Sequence, residues 1–111
     1  MMEQKIPILL NLLAAVFGAF GQYFYKNGAQ KSDLLSIGIG VLLFIGVMAL
    51  FVVAYKLGGK ISVVYPFYAT TFIWGAWIGS YFENEPWTHW NFLGLGLILL
   101  GLTVIASQVK N

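Results

Sequence analysis

Residues 34–55 read LLSIGIGVLLFIGVMALFVVAY, a run without a single charged side chain. A helix needs about 20 consecutive apolar residues to cross the hydrocarbon core of a bilayer, so this run is predicted to be a membrane span. One similar run precedes it, at 6–25, and two follow it, at 61–82 and 90–109. The sequence therefore predicts an all-α membrane protein, a bundle of four transmembrane helices forming one domain over residues 1–111.

The composition of the chain agrees with a lipid-facing surface. Of its 111 residues, 59% are hydrophobic and only 9% are charged, and the mean hydropathy is +0.81. A soluble domain carries about 25% charged residues because its surface must be hydrated. Cys and Arg are absent, His89 is the only His, and the net charge is +2. These counts argue against disulfides, a metal site and nucleic-acid binding.

The first apolar run is interpreted as a membrane span and not as a cleaved signal peptide. It follows Lys5, is longer than a typical signal-peptide core, and continues into GQYFYK at residues 21–26 without a small-residue cleavage pattern.

Charged residues occupy the connections, which the sequence places at 26–33, 56–60 and 83–89. Connections this short predict antiparallel neighbouring helices in a compact bundle. Cytoplasmic loops carry an excess of Lys. A cytoplasmic location of both termini is therefore favoured by four Lys on one side of the membrane against two on the other: Lys5, Lys56, Lys60 and Lys110 against Lys26 and Lys31.

Polar side chains within or next to the spans are the candidate substrate-binding residues. Polar groups in a membrane are costly, so they either join helices or line a site that binds a ligand. Both interpretations stay open here. The candidates are Asn11, Gln22, Lys26, Tyr65, Tyr68, Thr71 and Glu85.

Lys26 and Pro66 each allow two interpretations. Lys26, placed at the end of the first span, either complements the helix dipole and snorkels, or binds a phosphate near the interface. Pro66 either kinks the third span or marks its first turn.

Glycines on the fourth span suggest an association surface. Gly94 and Gly101 are two helical turns apart and share one face, and small residues let membrane helices approach closely. Packing within the chain and a dimer interface are the two interpretations. The small interior of a four-helix unit favours a homodimer or a heterodimer with a related subunit.

The pattern resembles the small multidrug resistance fold of the drug/metabolite transporter superfamily, with Tyr65 in the family's aromatic segment of the third span. Drug-exporting members carry a membrane-embedded Glu in the first span, and this chain has no carboxylate there. The chain is more similar to the small flippase subunits for undecaprenyl-phosphate-linked aminoarabinose and other EamA-type proteins. The shared motifs are Gly21-Gln22 with Lys26, Val64-Tyr65-Pro66, and EPWTHWNFLG at 85–94.

This resemblance implies a flippase in the bacterial inner membrane that moves a polyprenyl-phosphate-linked sugar, or a similar anionic lipid, between leaflets. Membrane lipids and the lipid-linked sugar are the expected partners. No nucleophile–base arrangement is present in the sequence, so neither enzymatic activity nor a cofactor is expected. The alternatives are an exporter of small organic compounds on the same fold and a membrane scaffold for a glycosyltransferase.

Overall fold

The computed structural model describes residues 4–109, and Lys110 lies outside this range. Four helical spans are present: the first is Lys5–Lys31, the second Leu34–Lys56, the third Ile61–Glu83 and the fourth His89–Ala106. Each is long and apolar enough to cross a membrane, and the described residues contain no strand. The predicted all-α fold with four transmembrane helices is confirmed.

The first span is longer than the sequence predicted. It continues six residues beyond residue 25, so Lys26 lies within the helix and not at its end. The helix stops at Ser32, whose φ is 52°, and the Asp33 N–H donates to the Gly28 carbonyl at 2.9 Å. The predicted connection 26–33 is therefore wrong, because Asn27 to Lys31 extend the helix and leave a two-residue turn.

Asp33 caps the second span. Its carboxylate accepts hydrogen bonds from the Ser36 hydroxyl at 2.8 Å and the Leu35 N–H at 3.1 Å. These donors, the Ser36 hydroxyl first, hold the pKa of Asp33 below its usual value. The span ends at Lys56, and Gly58 makes the tight turn that follows with a φ of 93°.

Pro66 changes the winding of the third span without starting it. The span begins as an α-helix at Ile61–Val64, becomes a 3-10 helix over Tyr65–Thr70, and returns to α-helix over Thr71–Glu83. Proline has no N–H to donate and its ring crowds the preceding turn, which accounts for the tighter local winding. Of the two alternatives for Pro66, disturbance of an existing helix is the one observed.

The fourth span begins with a capping box, in which Thr88 and Asn91 satisfy each other's backbone N–H groups. Just before it, the Trp87 indole N–H donates to the Ala76 carbonyl at 2.9 Å, which holds the connection against the third span. The span ends at Ala106, three residues before the predicted limit of 109, because the chain continues in a turn at Ser107.

The four spans form a flat bundle. The first span is central and packs between the second and the third, whereas the fourth packs against the third. The molecule measures 49 × 33 × 16 Å, and a helix with its side chains is about 10–12 Å across. On the fourth span only Leu102 is buried. Short connections make neighbours antiparallel, but they do not bring the fourth span back onto the first.

Glycines let aromatic rings cross the interface between the first and second spans. A Cβ atom at Gly21 would lie 2.6 Å from the Phe44 ring, and one at Gly40 would lie 2.6 Å from the Tyr25 ring. These two rings stack on each other with centroids 5.2 Å apart. The pair of spans is thus held by close packing of small residues against rings, which is how helices associate in lipid.

Candidate functional site

A cleft runs between the first and third spans. Its larger part has a volume of about 390 Å³. The first span contributes Gly18, Ala19 and Gln22 to it, and the third contributes Tyr68, Thr71, Phe72 and Gly75. The void exists because small residues stand where the two helices face each other. The ring of Phe72 is 61% exposed, so the cleft opens on the lipid-facing surface.

A smaller cavity of about 120 Å³ continues the cleft toward the end of the first span. It shares Ala19, Gln22 and Gly75 with the larger part and adds the charged residues Lys26, Glu83 and Glu85. Gly18 and Lys26 are eight positions apart on one helix, which is about 12 Å along its axis. The cleft is therefore elongated, with an apolar middle and a charged end.

Tyr68 is the main polar group of the middle region. Its hydroxyl lies directly against Gly18, so that a Cβ atom at position 18 would collide with it. Its ring meets the Phe51 ring edge-on, with centroids 5.1 Å apart. Gly18 and Phe51 together hold the phenol at the wall of the cleft.

Gln22 stands between the middle and the charged end. It is exposed and lines both cavities, and its side-chain amide has no hydrogen bond to any of residues 4–109. It lies one helical turn, about 6 Å, inside Lys26. An amide without a partner at this depth is unfavourable in lipid. The cleft therefore offers free donors and an acceptor to a ligand.

An ion-pair cluster closes the charged end. The Lys26 ammonium is bonded to the Glu85 carboxylate, and Glu83 Oε1 lies 3.5 Å from Lys26 Nζ. Glu85 is held in place because its N–H donates to the Gly79 carbonyl at 3.0 Å and its carboxylate lies where a side chain at position 79 would be. One ammonium against two carboxylates leaves one net negative charge.

The structure brings five of the seven predicted binding residues together at the cleft: Gln22, Lys26, Tyr68, Thr71 and Glu85. Tyr65 is not among the cleft residues. Its half-exposed ring stacks parallel to Tyr68, with centroids 6.3 Å apart. The role of all seven in binding stays a prediction.

Asn11 lies apart from the cleft and is completely buried. Its Nδ2 donates to the Pro7 carbonyl at 3.1 Å, while its Oδ1 has no partner among the described residues. Asn11 and Gln22 were both candidate binding residues, but they do not share one site, because the cleft residues of the first span begin at Gly18, seven positions after Asn11.

Sequence reasoning missed Glu83 and the small residues that create the void. Glu83 was assigned only to the predicted connection at 83–89, yet its carboxylate contacts Lys26. The sequence carried one usable signal: antiparallel spans put Lys26 and the 83–89 connection at the same membrane face. It carried none for Gly75, whose importance depends on which helix faces it.

The glycines predicted for dimerisation lie on the open side of the molecule. A Cβ atom at Gly94 or Gly101 would meet nothing within 4 Å. Packing among the described residues therefore does not explain either glycine, and a dimer interface stays a prediction.

Comparison with known proteins gives one informative match. The chain is 30% identical over 76 residues to a Klebsiella pneumoniae (strain 342) protein named "Probable 4-amino-4-deoxy-L-arabinose-phosphoundecaprenol flippase subunit ArnE". The match covers 68% of this chain and 61% of that relative, so it spans less than two thirds of the relative's length. No protein-family profile matches the chain. No solved structure matches it either.

The spans and the match together support a coarse description. The chain is a multi-pass membrane protein, and the prediction of a bacterial membrane location is confirmed by the four spans and the bacterial relative. That relative is a flippase subunit, which is a transport protein and not an enzyme. Membership of the drug/metabolite transporter superfamily stays a prediction.

Proposed function

We propose that this chain is a flippase subunit that moves a polyprenyl-phosphate-linked sugar, or a similar anionic lipid, between the leaflets of a bacterial membrane. The observation that carries the proposal is the Gln22 amide, which has no hydrogen-bond partner within residues 4–109 and lines a cleft that opens to lipid. A polar group left without a partner in a membrane marks a ligand path.

The shape of the cleft suits a polar head on an apolar tail. Its larger part, about 390 Å³, falls within the range of about 300–1,000 Å³ typical of small-molecule sites. Gln22, Tyr68 and Thr71 offer hydrogen bonds to a sugar. Lys26 offers a cation to a phosphate once its flexible side chain turns away from Glu85 and Glu83. The exposed Phe72 borders the opening, so the long tail stays in the bilayer while the head occupies the cleft.

A second copy of this chain, or a related subunit, completes the pathway in this proposal. The flat bundle gives the cleft only one pair of walls, and the glycine face of the fourth span is uncovered. Gly94 and Gly101 are the proposed contact points, because small residues allow close approach of a partner helix.

The flippase is favoured over the two alternatives by the placement of charge and polarity. Exchange of protons for a cationic drug needs a carboxylate within the membrane. Among the described residues the carboxylates are Asp33, Glu83 and Glu85, and all lie at span ends. A scaffold for a glycosyltransferase has no use for a polar cleft between the first and third spans.

Reconstituted liposomes test the proposal. The probe is a polyprenyl phosphate bearing a fluorescent sugar, and a membrane-impermeant quencher reports the fraction of probe in the outer leaflet. We expect that fraction to rise with time only when the protein is present, and the Gln22→Leu,Thr71→Val variant to slow the rise at least severalfold. Gly38→Ala, a substitution into open space on the second span, is the matched control.

A photoreactive form of the same lipid provides a readout that does not require a partner subunit. We expect it to label the first and third spans, and the label to disappear when unlabelled lipid is added in excess. If the lipid neither moves nor labels these spans, the chain does not handle this lipid class.

A further inference from the structure

The two ends of the bundle differ in charge. At the end where the first span begins, Lys5, Lys56 and Lys60 are exposed, and none of them forms an ion pair with another described residue. The carboxylates of the described residues all lie at the opposite end. Glu3 and Lys110, outside the described range, have opposite signs and do not alter this balance. The first end therefore carries three positive charges that no described residue offsets.

The side chain of Gln4 holds these lysines together. Its Nε2 donates to the Gly58 carbonyl at 3.1 Å, and its Oε1 accepts from the Lys60 N–H at 2.9 Å. Gln4 is only 7% exposed and directly precedes Lys5. Its buried amide thus fixes the connection between the second and third spans against the start of the first.

Backbone contacts hold the same connection in place. The Gly59 N–H donates to the Ala54 carbonyl at 3.0 Å, and a Cβ atom at Gly59 would lie 3.0 Å from the Pro7 Cβ atom. Lys56 and Lys60 stand on either side of this turn, so their backbones keep one position relative to the first span.

Each of the three lysines is followed by an exposed apolar side chain. Ile6, Leu57 and Ile61 are 57%, 43% and 67% exposed. A cation beside an exposed apolar side chain matches a lipid, whose charged head group is joined to a hydrocarbon tail. A soluble phosphate gains nothing from the apolar half of such a surface.

Electrostatics favours an anion at this end. Three ammonium groups held close to one another repel, and an anion among them removes that repulsion. The flexible stem of Lys lets its ammonium reach the level of the lipid head groups. One Lys beside an anionic membrane surface strengthens the attraction about fivefold, or about 1 kcal/mol.

We infer that Lys5, Lys56 and Lys60, positioned by Gln4, form a docking surface for the head groups of anionic phospholipids. This surface is separate from the cleft, because Lys5 and Lys26 are 21 positions apart on one helix, which is about 32 Å along its axis. The inference does not depend on the proposed function. It assigns a second lipid contact to the opposite end of the bundle.

Energy transfer in phosphatidylcholine nanodiscs tests this surface with two acceptor lipids that differ in net charge. The full-length chain has no Cys, so Tyr55→Cys carries a single donor dye beside the lysines. The acceptor is a trace of tail-labelled phosphatidylglycerol, which is anionic, or of tail-labelled phosphatidylcholine, which has the same phosphate but no net charge. We expect phosphatidylglycerol to be enriched at the dye at least about fivefold at low salt. The enrichment should vanish at about 1 M salt, where the Debye length is about 3 Å.

Variants in the labelled chain assign the enrichment to its residues. Lys5→Gln and Lys60→Gln are each expected to lower it severalfold. Gln4→Leu keeps all three charges but releases the connection, so it is expected to lower the enrichment of phosphatidylglycerol without changing transfer to phosphatidylcholine. Lys31→Gln, at the opposite end of the first span, is the matched control and should change neither.

Each outcome decides a separate point. Equal transfer to both lipids in the wild-type sequence refutes the surface and leaves the proposed function standing. Enrichment that survives the double variant Lys5→Gln,Lys60→Gln assigns the lipid to other residues and also refutes it. Displacement of labelled phosphatidylglycerol by soluble glycerol phosphate overturns the assignment to a bilayer lipid. Unchanged enrichment in Gln4→Leu refutes the positioning role of Gln4. The two Lys variants alter exposed side chains, so they decide the test even if Gln4→Leu fails to fold.

Discussion

Replacing Gly40 by Ala adds one methyl group at a crowded point between the first and second spans. The new Cβ atom would lie 2.6 and 2.7 Å from two carbons of the Tyr25 ring and 3.0 Å from the Gly21 carbonyl oxygen. Carbon atoms prefer separations of about 3.5–4.0 Å, so the ring must retreat by roughly 1 Å. It cannot do so freely, because it stacks on Phe44, which itself lies against Gly21.

The expected magnitude follows from a comparison with Gly38→Ala on the same helix. A Cβ atom at Gly38 would meet nothing within 4 Å. Both substitutions replace Gly by Ala inside a helix, so both gain the same propensity, up to about 1 kcal/mol. Only Gly40→Ala adds overpacking, at about 1–3 kcal/mol. We therefore expect Gly40→Ala to be less stable than Gly38→Ala by about 1–3 kcal/mol.

The absence of Cys from the sequence makes the measurement direct. Lys5→Cys and Lys56→Cys introduce two labelling sites at the same end of the first and second spans. Energy transfer between dyes at these sites reports separation of the two helices as the detergent SDS is added. The free energy of unfolding is extracted for each variant in this labelled background, so that the dyes and the detergent cancel in the difference.

A difference of less than about 0.5 kcal/mol between the two variants, the scatter of ordinary surface substitutions, would refute this packing. Equal stability would mean that Tyr25 does not occupy the space above Gly40. A loss of stability in Gly38→Ala would equally contradict the packing, because the structure leaves that position open.

Three further outcomes are expected. Gly18→Ala should displace the Tyr68 hydroxyl and slow lipid movement severalfold. The free energy of unfolding should change by no more than about 1–3 kcal/mol. Unchanged lipid movement would exclude Tyr68 from the path. Gly101→Leu should lower the cross-linked dimer fraction without lowering chain stability, since nothing surrounds that position, and an unchanged fraction would place the interface elsewhere. Asp33→Asn should remove a pH dependence of the free energy of unfolding. Because the pKa of Asp33 is lowered in the folded chain, its ionised form adds stability above about pH 4, and this stability is lost as the pH falls through the folded-state pKa. Unfolding measured from pH 6 to pH 3 should therefore show wild type and variant converging, and parallel curves would contradict the cap.

The membrane fold was accessible from sequence because burial in lipid imposes a requirement on each helix separately. A run such as 34–55 must satisfy its backbone hydrogen bonds internally, so length and apolarity identify it without knowledge of its neighbours. The residues at which each span begins and ends were harder to predict from the sequence. Lys26 suggested an end to the first span, but Lys is a good helix former and its long side chain reaches the polar edge from within a helix.

The site depended on relations between helices, which no single segment encodes. Gln22 and Tyr68 were recognised as costly polar groups, but whether they meet depends on which faces of the first and third spans pack together. The same holds for Glu83, which becomes a partner of Lys26 only when the third span ends beside the first. Asn11 shows the reverse case, because the same packing buries it away from the cleft. The lipid environment determines each helix from that helix's own residues. The cleft and its charged end, in contrast, form only when particular faces of two helices pack against each other.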